Sequence, residues 1–136
     1  MSTGSIRIAL ENALNGMTPA LPTGWENASF DPAGAAWQEA ILLFGRPRNS
    51  ALGSGYHQEN GVLQINLRYP ANTGAAAATA RAELLRVTFA RGSSFTEAGV
   101  TVKVDRTPQI GKGLNDAAHG EWVLPVSIGF FADIFV

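Results

Sequence analysis

Gly61-Val62-Leu63-Gln64-Ile65-Asn66-Leu67-Arg68-Tyr69-Pro70 alternates apolar and polar side chains. Leu63, Ile65, Leu67 and Tyr69 fall on one side and Gln64, Asn66 and Arg68 on the other, the period of two that a strand imposes. Val62–Tyr69 is therefore a strand with one face on a core and the other on water or a polar partner surface. Pro70-Ala71-Asn72-Thr73-Gly74 breaks it and offers Asn72 or Thr73 as a helix N-cap. The helix that follows runs to about Phe89. Ala78, Ala82, Leu85 and Phe89 keep the helical period, Glu83 and Arg86 can pair at three-residue spacing, and Gly92 stops the element.

Outward toward the C-terminus, Val100, Val102 and Val104 alternate with Thr101 and Lys103 as a half-buried strand. Asp105–Gly120 reads as a long polar loop. Trp122–Phe135 is nearly continuous apolar sequence, a strand covered on both faces, with Pro125 and Gly129 marking an edge or bulge. Toward the N-terminus, Gly45–Gly61 holds four glycines and reads as a second long loop. Ala35–Phe44 ends in Ile41-Leu42-Leu43-Phe44, a strand buried on both faces toward its end. Trp25–Pro32 reads as a short edge strand ending at the proline. Thr18–Thr23, with two prolines, is an extended linker. Ile6, Leu10, Ala13 and Leu14 define a first helix over Ser5–Leu14, closed by Gly16. Paired strands separated by a helix argue for an α+β fold and against a doubly wound parallel sheet.

Composition narrows the chemistry. A chain of 136 residues fits one domain over 1–136, large enough for a core without staples. With no cysteine there is no disulfide framework, thiolate nucleophile or zinc ribbon. A net charge of −1 supplies no basic field for counterion-release binding, so sequence-specific nucleic-acid binding is not expected. The runs Ala75–Ala78 and Ala40–Phe44 fall far short of the ~20 apolar residues of a membrane helix, and no membrane partner is expected. Met1–Leu14 carries Arg7, Glu11 and Asn12 where an export signal needs an unbroken apolar core, so synthesis in the cytoplasm is expected. Charged residues are 15% of the chain, below the ~25% of ordinary domains, which points to apolar surface that meets another subunit.

The residues that could carry chemistry have plain alternatives. His57-Gln58-Glu59 and His119-Gly120-Glu121 each place a histidine two residues before a carboxylate, so a two-histidine, two-carboxylate metal site is conceivable. Solvated-loop or interface histidines are the stronger reading, and no metal, cofactor or catalytic residue is assigned. Gly53-Ser54-Gly55 lacks the following glycine, the Lys-Ser/Thr pair and the helix of a phosphate cradle. Ser50 or Ser54 could join His57 and a carboxylate in a triad, but Ser54 lacks the strand-to-helix elbow of a nucleophilic serine. Arg46 and Arg48 flank a proline, and Tyr56 follows; they suit a solvated loop or salt bridges across a subunit boundary. Trp25, Trp37 and Trp122 sit in or beside strands, where core packing competes with interface use.

The order of landmarks resembles the tail terminator, or tail completion, proteins of long-tailed bacteriophages, including prophage versions. These landmarks are Trp25-Glu26-Asn27, Phe30-Asp31-Pro32, Leu42-Leu43-Phe44, Gly61 to Pro70, and the alanine-rich helix ending in Leu84, Leu85 and Phe89. The resemblance runs from about Ile6 to Phe135. It implies an α+β subunit whose mixed, mostly antiparallel sheet carries two helices packed on one face. It further implies a homo-oligomeric ring, a hexamer, that caps the tail tube, ends its polymerisation and presents the head-joining surface. Implied partners are further copies of the chain, the tail tube protein and a head-tail connector protein. The implied location is the host cytoplasm during assembly, then the head-proximal end of the virion tail. On this reading the ring contact joins two different patches. One lies at Trp25–Phe30 or Trp122–Ile134, the other at Gly45–Gly61 or Asp105–Gly120. The candidate interface residues are Trp25, Phe30, Arg46, Arg48, Tyr56, His57, Glu59, Ile110, Lys112, Leu114, His119 and Trp122. Another neck or head-completion role, and a metal- or ligand-binding enzyme built on His57 and His119, are the competing expectations.

Overall fold

The period-two segment lies inside a longer strand. The structure, a computed structural model, describes residues 2–50, 52–53 and 55–135. In chain order these form α1 (Ser2–Asn15), β1 (Thr23–Trp25), β2 (Trp37–Phe44), β3 (Tyr56–Pro70), α2 (Ala76–Thr88), β4 (Ser94–Glu97), β5 (Val100–Val104), β6 (Gln109–Ile110), β7 (Leu114–Asp116) and β8 (Glu121–Phe135). The fold is α+β, with two helices and one mixed sheet in the order β1-β2-β3-β8-β5-β4; β6 and β7 also pair with β8. Only β1 and β2 run parallel; the other pairs are antiparallel.

β3 and β8 form the spine. They pair over their full length, from Tyr56↔Phe135 to Pro70↔Glu121. The register sets Leu63 opposite Ile128, Ile65 opposite Val126 and Leu67 opposite Leu124, all buried. Ala40 and Leu42 of β2, Val102 and Val104 of β5, and Phe130 of β8 extend this apolar set. Ile6, Leu10 and Leu14 of α1 and Ala78, Ala82 and Leu85 of α2 belong to the same cluster, as does Phe89. Each large side chain removed from water here contributes roughly 1.5–3 kcal/mol. Arg81, on the buried side of α2, donates to the Pro19 carbonyl oxygen and approaches the Met17 sulfur at 3.9 Å, fastening the segment after α1 to α2. Burial lowers its pKa.

Several sequence expectations are corrected. The strand expected over Trp25–Pro32 stops at Trp25; Glu26–Ala28 turns, with Asn27 at φ 55°, a left-handed conformation that asparagine tolerates. β2 is not buried on both faces at its end: Leu43 is 54% and Phe44 39% exposed. The loop expected over Gly45–Gly61 is shorter, because β3 begins at Tyr56 and Arg48 bridges Gln58 through two backbone hydrogen bonds. Neither Asn72 nor Thr73 caps α2: Ala75 stands at that position without a side-chain bond, and the Thr73 hydroxyl donates to the Pro70 carbonyl oxygen. The stretch Asp105–Gly120 contains β6 and β7, too short to show a period. β4 has no counterpart in the sequence reading.

Pro125 and Gly129 mark neither an edge nor a bulge, since β8 is central. The Gly111 N–H donates to the Pro125 carbonyl oxygen, so Pro125 turns its backbone toward the margin shared by β6 and β7. There β6 ends opposite Val126 and β7 begins opposite Val123. The donor that proline lacks falls at this break and leaves no ladder bond unmade. β8 is also not covered on both faces: only every second side chain is buried, and Phe135 is 77% exposed.

Candidate functional site

Because Leu63, Ile65 and Leu67 face the core, Val62, Gln64, Asn66 and Arg68 face outward, and the registers place Glu39, Ser127 and Glu121 on the same outer face. A polar ladder crosses it. The Ser127 hydroxyl donates to Gln64 at 2.7 Å, the Gln64 amide to Asn66 at 3.0 Å, and the Asn66 amide to Glu39 at 3.0 Å. Arg68 closes the ladder by donating to Glu39 at 3.3 Å, Asp116 at 3.0 Å and Glu121 at 3.3 Å, with its guanidinium 5.5 Å from the Trp37 ring centre. Trp37 Nε1 donates to Glu121 at 2.7 Å, and Phe30 stacks on Trp37 at 4.8 Å. Partial burial works against the charge of Arg68, but the carboxylates outweigh it and raise its pKa. Arg68, followed by His119, lowers that of Asp116. Three carboxylates against one guanidinium leave this end of the face acidic.

The other end is basic. A trough of about 1100 Å³ opens between residues 45–48 and 105–109, with Phe44, Val62 and Phe131 in its lining and Arg46, Arg48 and Arg106 along its walls. Both walls are tied down. Asn60 donates to the Arg46 carbonyl oxygen at 2.9 Å, and Arg86 of α2 donates to that of Pro108 at 2.9 Å. Beyond the trough the Tyr56 hydroxyl donates to Asp133 at 2.6 Å and its ring lies 5.2 Å from that of Phe135. That bond raises the Tyr56 pKa and, with the Gln58 amide, lowers that of Asp133.

The candidate interface residues divide accordingly. Arg46 and Arg48 stand together at the trough, with Tyr56 nearby on the same face. His57 and Glu59 alternate to the opposite face of β3, and Glu59 is buried. Leu114, 60% exposed, faces outward opposite Val123, and His119 binds Asp116 at 2.9 Å in the turn beyond β7. Lys112 is exposed on the connector between β6 and β7, while Ile110 and Trp122 pack against the core. Trp122 covers Gly113, where an added Cβ would stand 1.9 Å from the ring. Trp25 closes β1 against the core, and Phe30 is spent on Trp37.

The two-histidine site does not form. His57 pairs with Ile134 at one end of the spine, and His119 precedes Glu121 at the other. The intervening strand spans on the order of 40 Å if straight. Among the described residues no group of three or more metal-ligating side chains gathers. Ser54 lies outside the described residues. Sequence reading missed Glu39, Asp116 and Arg106, and noticed Glu121 only as the carboxylate beside His119. The one available signal was Arg68, a full charge inside a strand, which calls for carboxylates on neighbouring strands.

Comparison with known proteins adds three findings. A family model described as "Phage tail terminator protein" matches residues 5–130. A solved structure superposes on 100% of this chain and 99% of its own, with TM-score 0.80 and 26% sequence identity. No curated protein matches the sequence.

Proposed function

This chain belongs to the phage tail terminator family, and we propose that it is the subunit of a ring, a hexamer, that caps the tail tube, ends its polymerisation and offers the head-joining surface. It has a structural role in the phage tail, as its family does. On this reading the chain acts as one domain without catalysis, with both helices on the sheet's apolar face and the other face free for partners. It assembles in the host cytoplasm and comes to lie at the head-proximal end of the tail. A ring that docks on the tube end by one surface and lacks that surface on its far side stops the stack. Ring closure requires two different patches per subunit.

The observation that carries the reading beyond the family is the outward display of Leu43, Leu114 and Phe135 on the sheet face that also carries the polar ladder. Large apolar side chains left in water on one face suit a surface that is covered on assembly. The test is to polymerise tail tube protein with and without this chain and to measure tube length by electron microscopy. Native mass measurement of the capped ends then counts the subunits. Shortened tubes with six copies at one end support the proposal. Tubes of unchanged length, or binding to heads alone, overturn it in favour of another neck role.

A further inference from the structure

We infer that the trough between residues 45–48 and 105–109 is a docking groove for an acidic, apolar-bearing stretch of polypeptide from a partner protein. The inference rests on the reading of this chain as an assembly subunit, and it names the chemistry of what one of its surfaces accepts. Arg46, Arg48 and Arg106 line the groove, are exposed, and among the described residues form no ion pair. Three like charges held around one concavity repel one another until a negative group enters. Asp105 is the one carboxylate among the described lining residues, against three guanidinium groups; Asp133, outside the lining, is already occupied by Tyr56 and Gln58.

The lining supplies the rest of the recognition. Phe44, Val62 and Phe131 offer apolar contact, and Gln58, Asn60 and Gln109 offer amides. The trough, of about 1100 Å³, is open to solvent along the face, a shape that admits an extended segment. A nucleic-acid backbone fits less well. A strand long enough to follow the face from the arginines would meet Glu39, Asp116 and Glu121 at its other end, where three carboxylates surround one arginine. The backbones of both walls are anchored through Asn60 and Arg86, so the ordering cost of binding falls on the exposed arginine side chains and on the occupant.

The test uses fluorescein-labelled peptides of about ten residues that alternate Glu with Val, Glu with Ser, or Lys with Val, read by fluorescence anisotropy on the full chain. The Glu/Val peptide binds tightest, the Glu/Ser peptide more weakly, and the Lys/Val peptide not at all. Arg46→Glu, Arg48→Glu and Arg106→Glu each weaken Glu/Val binding about tenfold. Arg91→Glu, an exposed change outside the groove, leaves it unaltered, and unchanged circular dichroism verifies that each variant is folded. Equal binding by the groove variants overturns the inference. So does tighter binding of a single-stranded oligonucleotide of matching charge, or self-association lost in these variants without any effect on peptide binding. Tube-length measurement stands apart: tubes shortened by a chain that ignores the peptides would sink the groove alone, and peptide binding with unaltered tubes would sink the ring.

Discussion

Glu26 Oε1 accepts the Leu42 backbone N–H at 2.7 Å, at the point where β1 has ended and β2 continues with β3 on one side and no strand on the other. A sheet margin with open donors invites pairing with another chain, and here a carboxylate occupies the donor. Arg7 of α1 holds the same oxygen at 3.1 Å. Glu26→Ala removes the acceptor and is expected to cost about 1–2 kcal/mol in urea unfolding. Glu26→Gln keeps an acceptor and is expected to cost less. If the two variants unfold at the same urea concentration, the carboxyl oxygen is not what holds the margin closed.

The pH dependence follows from the same group. The Leu42 amide holds the Glu26 pKa below its ordinary 4.5 despite partial burial, with Arg7 assisting. A lowered folded-state pKa means that the unfolded chain binds more protons near pH 4. The contribution is present above pH 4.5 and is lost as pH falls through the folded value. Asp116 and Asp133 are lowered from 3.8 and add to the same slope. Thermal melts from pH 6 to pH 3 are expected to fall for the parent chain and to fall less steeply for Glu26→Gln.

Arg68→Ala leaves Glu39, Asp116 and Glu121 facing one another without their common partner. A loss of about 1–3 kcal/mol is expected near neutral pH, since the group is only partly buried. The variant should recover stability with added salt, which screens the facing carboxylates. No recovery with salt would show that Arg68 acts through packing on Trp37 and not through charge.

Two glycines are expected to answer alanine with opposite signs. At Gly113 the new Cβ would stand 1.9 Å from Trp122, so the ring must shift, at a cost of about 1–3 kcal/mol. At Gly4, within α1, nothing lies within 4 Å, and a gain of about half a kcal/mol is expected from helix propensity and the stiffer unfolded chain. Denaturant midpoints decide both.

Leu43→Glu and Leu114→Glu place charges at outward positions that make no part of the core. Stability within about 0.5 kcal/mol of the parent is expected. Loss of tube capping by these folded variants is the expected outcome if that face is covered on assembly. Undiminished capping would move the interface elsewhere.

Period two and period 3.6 were legible where a run was long and bore the same relation to the core throughout. Val62–Tyr69 and the stripe from Ala78 to Phe89 are such runs. The segment Tyr56–Gly61 was not, because Glu59 and Gly61 occupy the core-facing positions and mimic a loop. Gly61 is required there: a Cβ would stand 2.2 Å from the Leu43 carbonyl oxygen. The apolar outer positions of β8, such as Val123 and Phe131, suggested cover on both faces, whereas they lie half-exposed on the outer face. Of the site, Arg46, Arg48, Leu114 and His119 were visible as loop residues. The grouping of carboxylates around Arg68 was not, since Glu39, Asp116 and Glu121 come from three strands that only the register brings together, and Glu121 stood out only beside His119.

The central position of β8 bears on how a ribosome makes this protein. Every other strand is synthesised before the one that joins the two halves of the sheet, and its partner β3 emerges some fifty residues earlier. Until Glu121–Phe135 clears the exit tunnel, the nascent chain holds β1–β3 and β4–β5 as separate fragments with apolar flanks and no common neighbour. Closing so distant a pair is slow. The interval between translation and closure is therefore when the chain is most exposed to chaperones, proteases and its own copies.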